Sequence, residues 1–279
     1  MTADPDGAVP SGRQPAKTTE RETVGGVPRL LVLGKARKIL DAFSPRRPQL
    51  SLAELAAMTE LPTSTCLRLI RNLTHEGLLS RVGDRYQIGL TIVRWASSAL
   101  EGNNVLVAAQ PELERLRDAT EESALLSVRD GIFRVIIAVA KSRHSIVREV
   151  QIGEVLPLHV GSTAKVFLAF DAEAEKAFAT HDLETYTPYT TTSRTKLARE
   201  VEQIREDGYA VSSQEGNIGS MGLSAPIFDR HGQMVAGLGI AGPMQRMVPN
   251  HIERYVPAVL DAASRVSMAL GYDPLDGRA

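Results

Sequence analysis

Apolar positions recur at helical spacing early in the chain, and the recurrence is broken in informative places. Leu33, Ala36, Ile39, Leu40 and Phe43 form one stripe, with Lys35, Arg37 and Lys38 on or beside its solvent side, which predicts a helix over Arg29 to Phe43. A second stripe, Leu52, Leu55, Ala56 and Leu61, follows Ser51-Leu52-Ala53-Glu54, a capping box in which side chains and backbone amides satisfy each other, with Leu50 and Leu55 at the staple positions. Leu61-Pro62 ends that helix, because the residue before a proline is pushed out of the α region. The next helix begins at Pro62 or Thr63 and places Cys66, Leu69, Ile70 and Leu73 on one face; Ser64, Arg68 and Arg71 lie opposite, with Thr65 and Asn72 on the flank. Two alternating runs, Leu78 to Val82 and Arg85 to Ile88, are joined by Gly83-Asp84, a signal for a type II′ hairpin turn. Residues 29–89 thus read as a winged helix-turn-helix. Short hydroxyls at a helix start followed by arginines suit phosphate and base-edge contacts, so Ser64, Thr65, Arg68, Arg71 and the wing residue Arg85 are the candidate contacts to double-stranded DNA.

From Leu90 to Leu100 the pattern is again helical and ends at Glu101-Gly102-Asn103-Asn104; residues 90–104 read as a connector, with Trp95 packed against the head or against a partner's connector. The body, 105–272, opens with a helix over Val107 to Thr120 interrupted early by Pro111. Strands are predicted over Ala124 to Arg129, Ile132 to Ala140 and Ile146 to Ile152, with Asp130-Gly131 as a hairpin turn. Helices over Ala164 to Ala172 and Leu197 to Asp207 follow. Strands over Tyr209 to Ser213, Gly222 to Phe228 and Met234 to Ile240 and a final helix over Ile252 to Leu270 complete the chain, with Pro257 early in that helix. Hairpin-paired strands with helices between them imply an α+β domain with a mostly antiparallel sheet.

Charge sharpens this division. The chain of 279 residues carries a formal net charge of only −1, yet residues 29–100 hold 11 Lys and Arg against 5 Asp and Glu, whereas residues 101–279 hold 18 against 24. A basic head on an acidic body is the asymmetry of a DNA-binding module joined to one that does not touch DNA. No apolar run approaches the roughly 20 residues of a membrane span, and the start of the chain has no apolar signal core. Residues 1–28, rich in Pro, Gly, Thr and charge, are expected to be a disordered tail. One cysteine excludes an internal disulfide and fits a reducing cytoplasm; Cys66 reads as a small core thiol, and one Cys with six scattered His offers no zinc spacing. No cofactor is implied.

Candidate chemistry concentrates in two loops of the body. The run Leu156 to Lys165 joins a strand to a helix, with Ser162 or Thr163 as N-cap; the free amides of a helix start can hold a carboxylate or phosphate, or the corner can be capped and empty. Ser162 to Lys165 spells S-x-x-K, but no S-D-N or K-T-G follows, so an acyl-transfer enzyme is poorly supported. The loop Ser212 to Gly222 carries glycines and serines that suggest backbone held close to something; Glu215 within it reads as a solvent-facing or capping carboxylate, and His159 as a hydrogen-bonded strand residue. Arg148 falls between Ile146 and Val150 at period two, on an exposed face or, if inward, in need of an anion such as a bound carboxylate.

Over about residues 29–272 the chain resembles IclR-type transcriptional regulators. The resemblance rests on Leu61-Pro62, Ser64-Thr65, Arg68-Leu69, Leu73 and Glu76-Gly77-Leu78, and on Tyr86-Gln87-Ile88-Gly89 after the wing. In the body it rests on Leu156-Pro157-Leu158-His159, Ala164-Lys165, Leu168-Ala169, Asp207-Gly208-Tyr209, Glu215, Ala225 to Asp229 and Gly242-Pro243. It implies a homodimer or dimer of dimers on a palindromic operator, and a GAF-like body that binds a small organic acid, with control of a catabolic operon. Effector carboxylates in the family are held at the corner that matches Ser162-Thr163, and further pocket positions match Ser212, Gly222, Gly239 and Ala241. Members tuned to small keto acids often carry acidic, thiol and hydroxyl groups there; one hydroxyl, two glycines and an alanine imply a larger or more apolar carboxylate, such as an aromatic acid. The competing functions are an effector-independent DNA-binding repressor and a small-molecule-processing enzyme whose head only dimerises.

Overall fold

The computed structural model describes residues 30–45, 47–101 and 104–273, together with Thr23–Val24 (β1) and Val27–Pro28 (β2), which pair antiparallel. The remainder of the tail expected to be disordered lies outside the described residues.

In the head, α1 (Leu31–Asp41), α2 (Leu52–Thr59) and α3 (Thr63–His75) pack around Ile39, Leu55, Cys66, Ile70, Leu73 and Leu79. The capping box forms: Ser51 N donates to the Glu54 carboxylate at 2.7 Å and Glu54 N to Ser51 Oγ at 3.3 Å; the bonds from Ser51 N and Ser51 Oγ, each 2.7 Å from the carboxylate, hold the Glu54 carboxyl below its usual range. Glu60 takes a left-handed conformation (φ 56°) at the α2 terminus, so the chain reverses into Pro62 and α3. The wing is β4 (Leu79–Val82) and β5 (Arg85–Ile88), with β3 (Leu50–Ser51) pairing on the other edge of β5. Gly83 supplies φ 62° at the turn. Leu33 departs from expectation: it is 65% exposed, and Leu31 and Val32 at the start of α1 are exposed too, because among the described residues no other part of this head reaches over that turn.

The connector is α4 (Leu90–Glu101), and α5 (Asn104–Thr120) continues through Pro111 into the body. Trp95 is 54% exposed beside exposed Leu90 and Val93, so it does not pack on its own head.

The body holds one six-stranded sheet, order β8-β7-β6-β11-β10-β9, in which every neighbouring pair is antiparallel. Its strands are β6 (Ser123–Asp130), β7 (Phe133–Ala140), β8 (Val155–Pro157), β9 (Ala210–Ser213), β10 (Ser220–Phe228) and β11 (Met234–Pro243). α5 and α9 (Pro249–Ala269) cover one face through Leu113, Leu126, Leu223, Leu238, Val259 and Val266. α6 (Ser162–Phe170), α7 (Ala172–Phe178) and α8 (Arg194–Asp207) build the other layer around Val166, Phe167, Leu197, Val201 and Ile204.

Two expectations are corrected. Ile146 to Ile152 is not a strand: Ile146, Val147 and Ile152 are exposed, and the edge of β7 is taken instead by Val155–Pro157. Gly153, at φ 84°, donates to Ile136 O and Ile136 N to Glu154 O, so the chain reaches that edge only after the loop 141–154 has arched away from it. The helix expected to run to Ala172 ends at Phe170, because Asp171 leaves the α region and caps α7 by accepting from Glu173 N and Ala174 N.

Candidate DNA interface and effector cavity

On α3 the buried residues Cys66, Leu69, Ile70 and Leu73 fix the orientation of the helix, and Ser64, Arg68 and Arg71 are exposed on the other side, with Thr65 half-buried. Arg85 is less free than expected. Its guanidinium lies 3.2 Å from Glu54 and donates to Gln49 O at 3.0 Å, fastening the wing to the start of α2. Arg81, overlooked in the sequence, is exposed on the wing and donates to Gly83 O at 2.8 Å.

In the body, the start of α6, the sheet and the loops flanking it enclose a cavity of about 40 Å³. Ser162, Thr163, Ser212, Gly222, Ala241 and Arg148 all line it, so six of the seven candidate positions converge. Gly239 does not. A Cβ there would sit 2.2 Å from Leu223 O and 2.3 Å from Ser224 Oγ, so this glycine permits close strand packing instead. Gly222 leaves little empty volume either, since its Cβ would meet Ser162 Oγ at 2.8 Å and Ser212 Oγ at 3.3 Å. Hydroxyl groups from neighbouring elements occupy the space that the missing side chains vacate, and the expectation of a roomy apolar pocket fails on that geometry.

The corner itself is capped differently from the sequence reading. Gly161, at φ 91°, is the N-cap, and Ser162 and Thr163 are the first helical residues. Their hydroxyls hydrogen-bond Ser224 Oγ at 2.8 and 2.7 Å, tying α6 to β10. Glu215 is buried: it accepts from Gly161 N at 3.0 Å and from Lys165 Nζ at 2.5 Å, while Lys165 also donates to Glu200 at 2.6 Å. Lys165 is thereby held as an ion-pair cation, and no nucleophile–base pair exists between it and Ser162. Thr187 and Thr190 donate to the carbonyls of Gln214 and Glu215 and hold the loop over the cavity. The amides of Ser162 and Thr163 meet no acceptor among the described residues.

Arg148 does face the cavity, although not from a strand; its Nη2 donates to Glu154 at 2.9 Å. A second arginine was missed. Arg134, on β7, is 5% exposed and lines the same cavity, and its one partner is Glu154, at 3.5 Å. Its Nε and Nη1 are buried without an acceptor. Burial lowers its pKa to about 10, with the second guanidinium of Arg148 acting in the same sense and Glu154 against it; at neutral pH the group stays cationic. The signal for Arg134 was present: it stands two residues before Ile136 in a predicted strand, which is the period-two test applied to Arg148.

His159 is fully buried, stacked on Phe178 at 5.6 Å, and donates Nε2–H to Glu184 O at 2.9 Å, with Nδ1 unpartnered. Burial pushes its pKa below 6.5. The unfolded chain therefore takes up this proton first, and the stability His159 contributes is complete above about pH 6.5 and lost as the pH falls through the folded value. Between pH 7 and pH 5 the wild-type melting temperature should drop more steeply than that of His159→Gln; parallel curves would remove His159 from the acid response.

Among the described residues no group of three or more His, Cys, Asp or Glu could hold a metal, and no helix is long and apolar enough to cross a membrane.

A winged helix on a basic head, carried by an α+β body with a small polar cavity, defines a one-component DNA-binding regulator. The family of IclR helix-turn-helix domains matches residues 32–83, and that of the bacterial transcriptional regulator IclR C-terminal domain matches residues 97–268. The transcriptional repressor IclR of Escherichia coli is 30% identical over 266 residues, covering 93% of this chain and 96% of that protein. The crystal structure of the Thermotoga maritima IclR, 30% identical, aligns with a TM-score of 0.66 over 87% of this chain and 99% of its own. An IclR homologue from Microbacterium hydrocarbonoxydans, solved with 4-hydroxybenzoate, shares the fold at 22% identity and a TM-score of 0.71, over 86% of this chain and 98% of its own. The chain belongs to the IclR family of DNA-binding transcriptional regulators.

Proposed function

We propose that this regulator binds a palindromic operator as a homodimer or dimer of dimers in the cytoplasm, and that a small organic acid in the body cavity sets its operator affinity, controlling a catabolic operon. The observation that carries the reading is the cavity itself, lined by the first residues of α6 and by Arg134, a buried cationic side chain with unanswered donors. Exposed Leu90, Val93 and Trp95 on α4 support a partner connector packing there. The chemistry of the cavity is recognition, since Lys165 is consumed by Glu200 and Glu215. The Microbacterium relative accommodates a hydroxylated aromatic acid. In this chain the cavity is small, about 40 Å³, and the hydroxyls of Ser162, Thr163 and Ser212 line it, which favours a short polar acid over a ring.

The test is thermal stability of the full-length protein across two- to four-carbon carboxylates, followed by operator binding with any acid that stabilises it. An acid at a hundred times its Kd should add about 2.7 kcal/mol to folding stability. Gly222→Leu should abolish that gain and leave ligand-free operator affinity unchanged, because the new side chain would enter between Ser162 and Ser212. If no acid changes either stability or operator affinity, the protein is an effector-independent DNA-binding regulator.

A further inference from the structure

Two features of the cavity call for negative charge, and they are independent of each other. One is the start of α6, where Gly161, Ser162 and Thr163 line the cavity and the Gly161 amide is answered by Glu215. The other is the pair of arginines on the opposite loop and strand. Arg134 and Arg148 share a single carboxylate, Glu154, which leaves Nε and Nη1 of Arg134 without an acceptor. A buried guanidinium with two empty donor groups is costly to maintain, and a bound anion removes that cost by accepting from it.

We propose that the effector is a short dicarboxylate, with one carboxylate on the Ser162 and Thr163 amides and the other on Arg134. The proposal rests on the cavity's being the effector site and names the chemical class that site selects. One carboxylate accepts from the unanswered donors of Arg134, and the second faces the positive end of the α6 dipole beside Glu215. The cavity is small, about 40 Å³, which favours the shortest chain that spans the two donor sets. Monocarboxylates of the same length leave one of the two donor sets unanswered. Arg148 stays on Glu154 at 2.9 Å and acts as a positioning residue, holding Glu154 to one side of Arg134.

Calorimetry with the full-length protein at constant ionic strength decides the matter, using malonate and succinate against propionate and butyrate. Each diacid should bind at least tenfold more tightly than its monoacid partner. In Arg134→Gln that ratio should collapse toward one, with monoacid affinity little changed. Equal affinities for diacid and monoacid in the wild-type protein would overturn the proposal without recourse to any variant. So would an Arg134→Gln protein that keeps the preference. Binding of monoacids alone would leave the effector site standing and remove only the dicarboxylate; binding of none of the four would remove both.

Discussion

Replacing Lys165 with Met should destabilise the body by roughly 3–5 kcal/mol, the cost of leaving buried carboxylates without their cation. Its ammonium is 3% exposed and sits between Glu200 at 2.6 Å and Glu215 at 2.5 Å. The loss is not confined to the ion pair. Glu215 also accepts from the Gly161 amide, and its own carbonyl receives Thr190, so one cation holds the α6 N-cap, α8 and the loop over the cavity together. Lys196 is the internal control. It lies 3.7 Å from the same Glu200 but is 63% exposed, and Lys196→Met should cost less than about 1 kcal/mol. Urea unfolding of the two variants checks the contrast; similar midpoints would show that the buried triad contributes no more than a surface pair. Acid binding should also weaken in Lys165→Met, because the N-cap geometry that aims the α6 amides depends on Glu215.

The second large effect is on DNA. In a folded Arg68→Ala protein, operator affinity should fall by roughly 1–3 kcal/mol if the side chain reads a base edge. Arg68 is exposed on the face of α3 opposite Cys66, Leu69 and Leu73, and among the described residues nothing in the head competes for its guanidinium in the way Glu54 and Gln49 hold Arg85. Arg85→Ala should accordingly cost less. The wild-type affinity should also weaken steeply with salt, as each phosphate neutralised by the basic head releases counterions, and loss of a phosphate-contacting arginine should flatten that dependence. Anisotropy titrations with a labelled operator at two salt concentrations separate these cases. An Arg68→Ala protein with unchanged affinity would mean that α3 is not the helix in the groove.

The head was legible almost to the residue because its determinants are local. The capping box, the Pro62 break and the helical spacing of Cys66, Leu69 and Leu73 each act within a turn or two of chain, where propensity and period decide the outcome. In the body the same reasoning found the sheet and the α6 corner, yet misjudged what depends on distant partners. Ile146 to Ile152 has alternating apolar residues but no free strand edge to lie on, since Val155–Pro157 takes it. Ser162 and Thr163 are good capping residues by type, but Ser224 on β10 claims their hydroxyls and Glu215 supplies the cap. Gly222 and Gly239 were read as missing volume, and the side chains that fill their places come from other elements. Arg134 could have been found. A register shift at Leu126 and Ser127 leaves Ile137 over, so Arg134 and Ile136 share the cavity face, whereas Ala138 and Ala140 pack under α5 and α9.

The strand order of the body also fixes when the protein becomes subject to control as it is synthesised. β6 and β11 lie side by side at the centre of the sheet, and Glu122, just before β6, accepts two hydrogen bonds from Arg246, 124 residues later. The sheet therefore closes only after nearly the whole chain exists, and such distant pairings form slowly because a long loop must first be ordered. The head needs nothing beyond Ile88 for its own core. A ribosome that has passed the wing but not β11 thus carries a folded head ahead of any completed body, and a message truncated in that interval would yield a helix-turn-helix without its second domain.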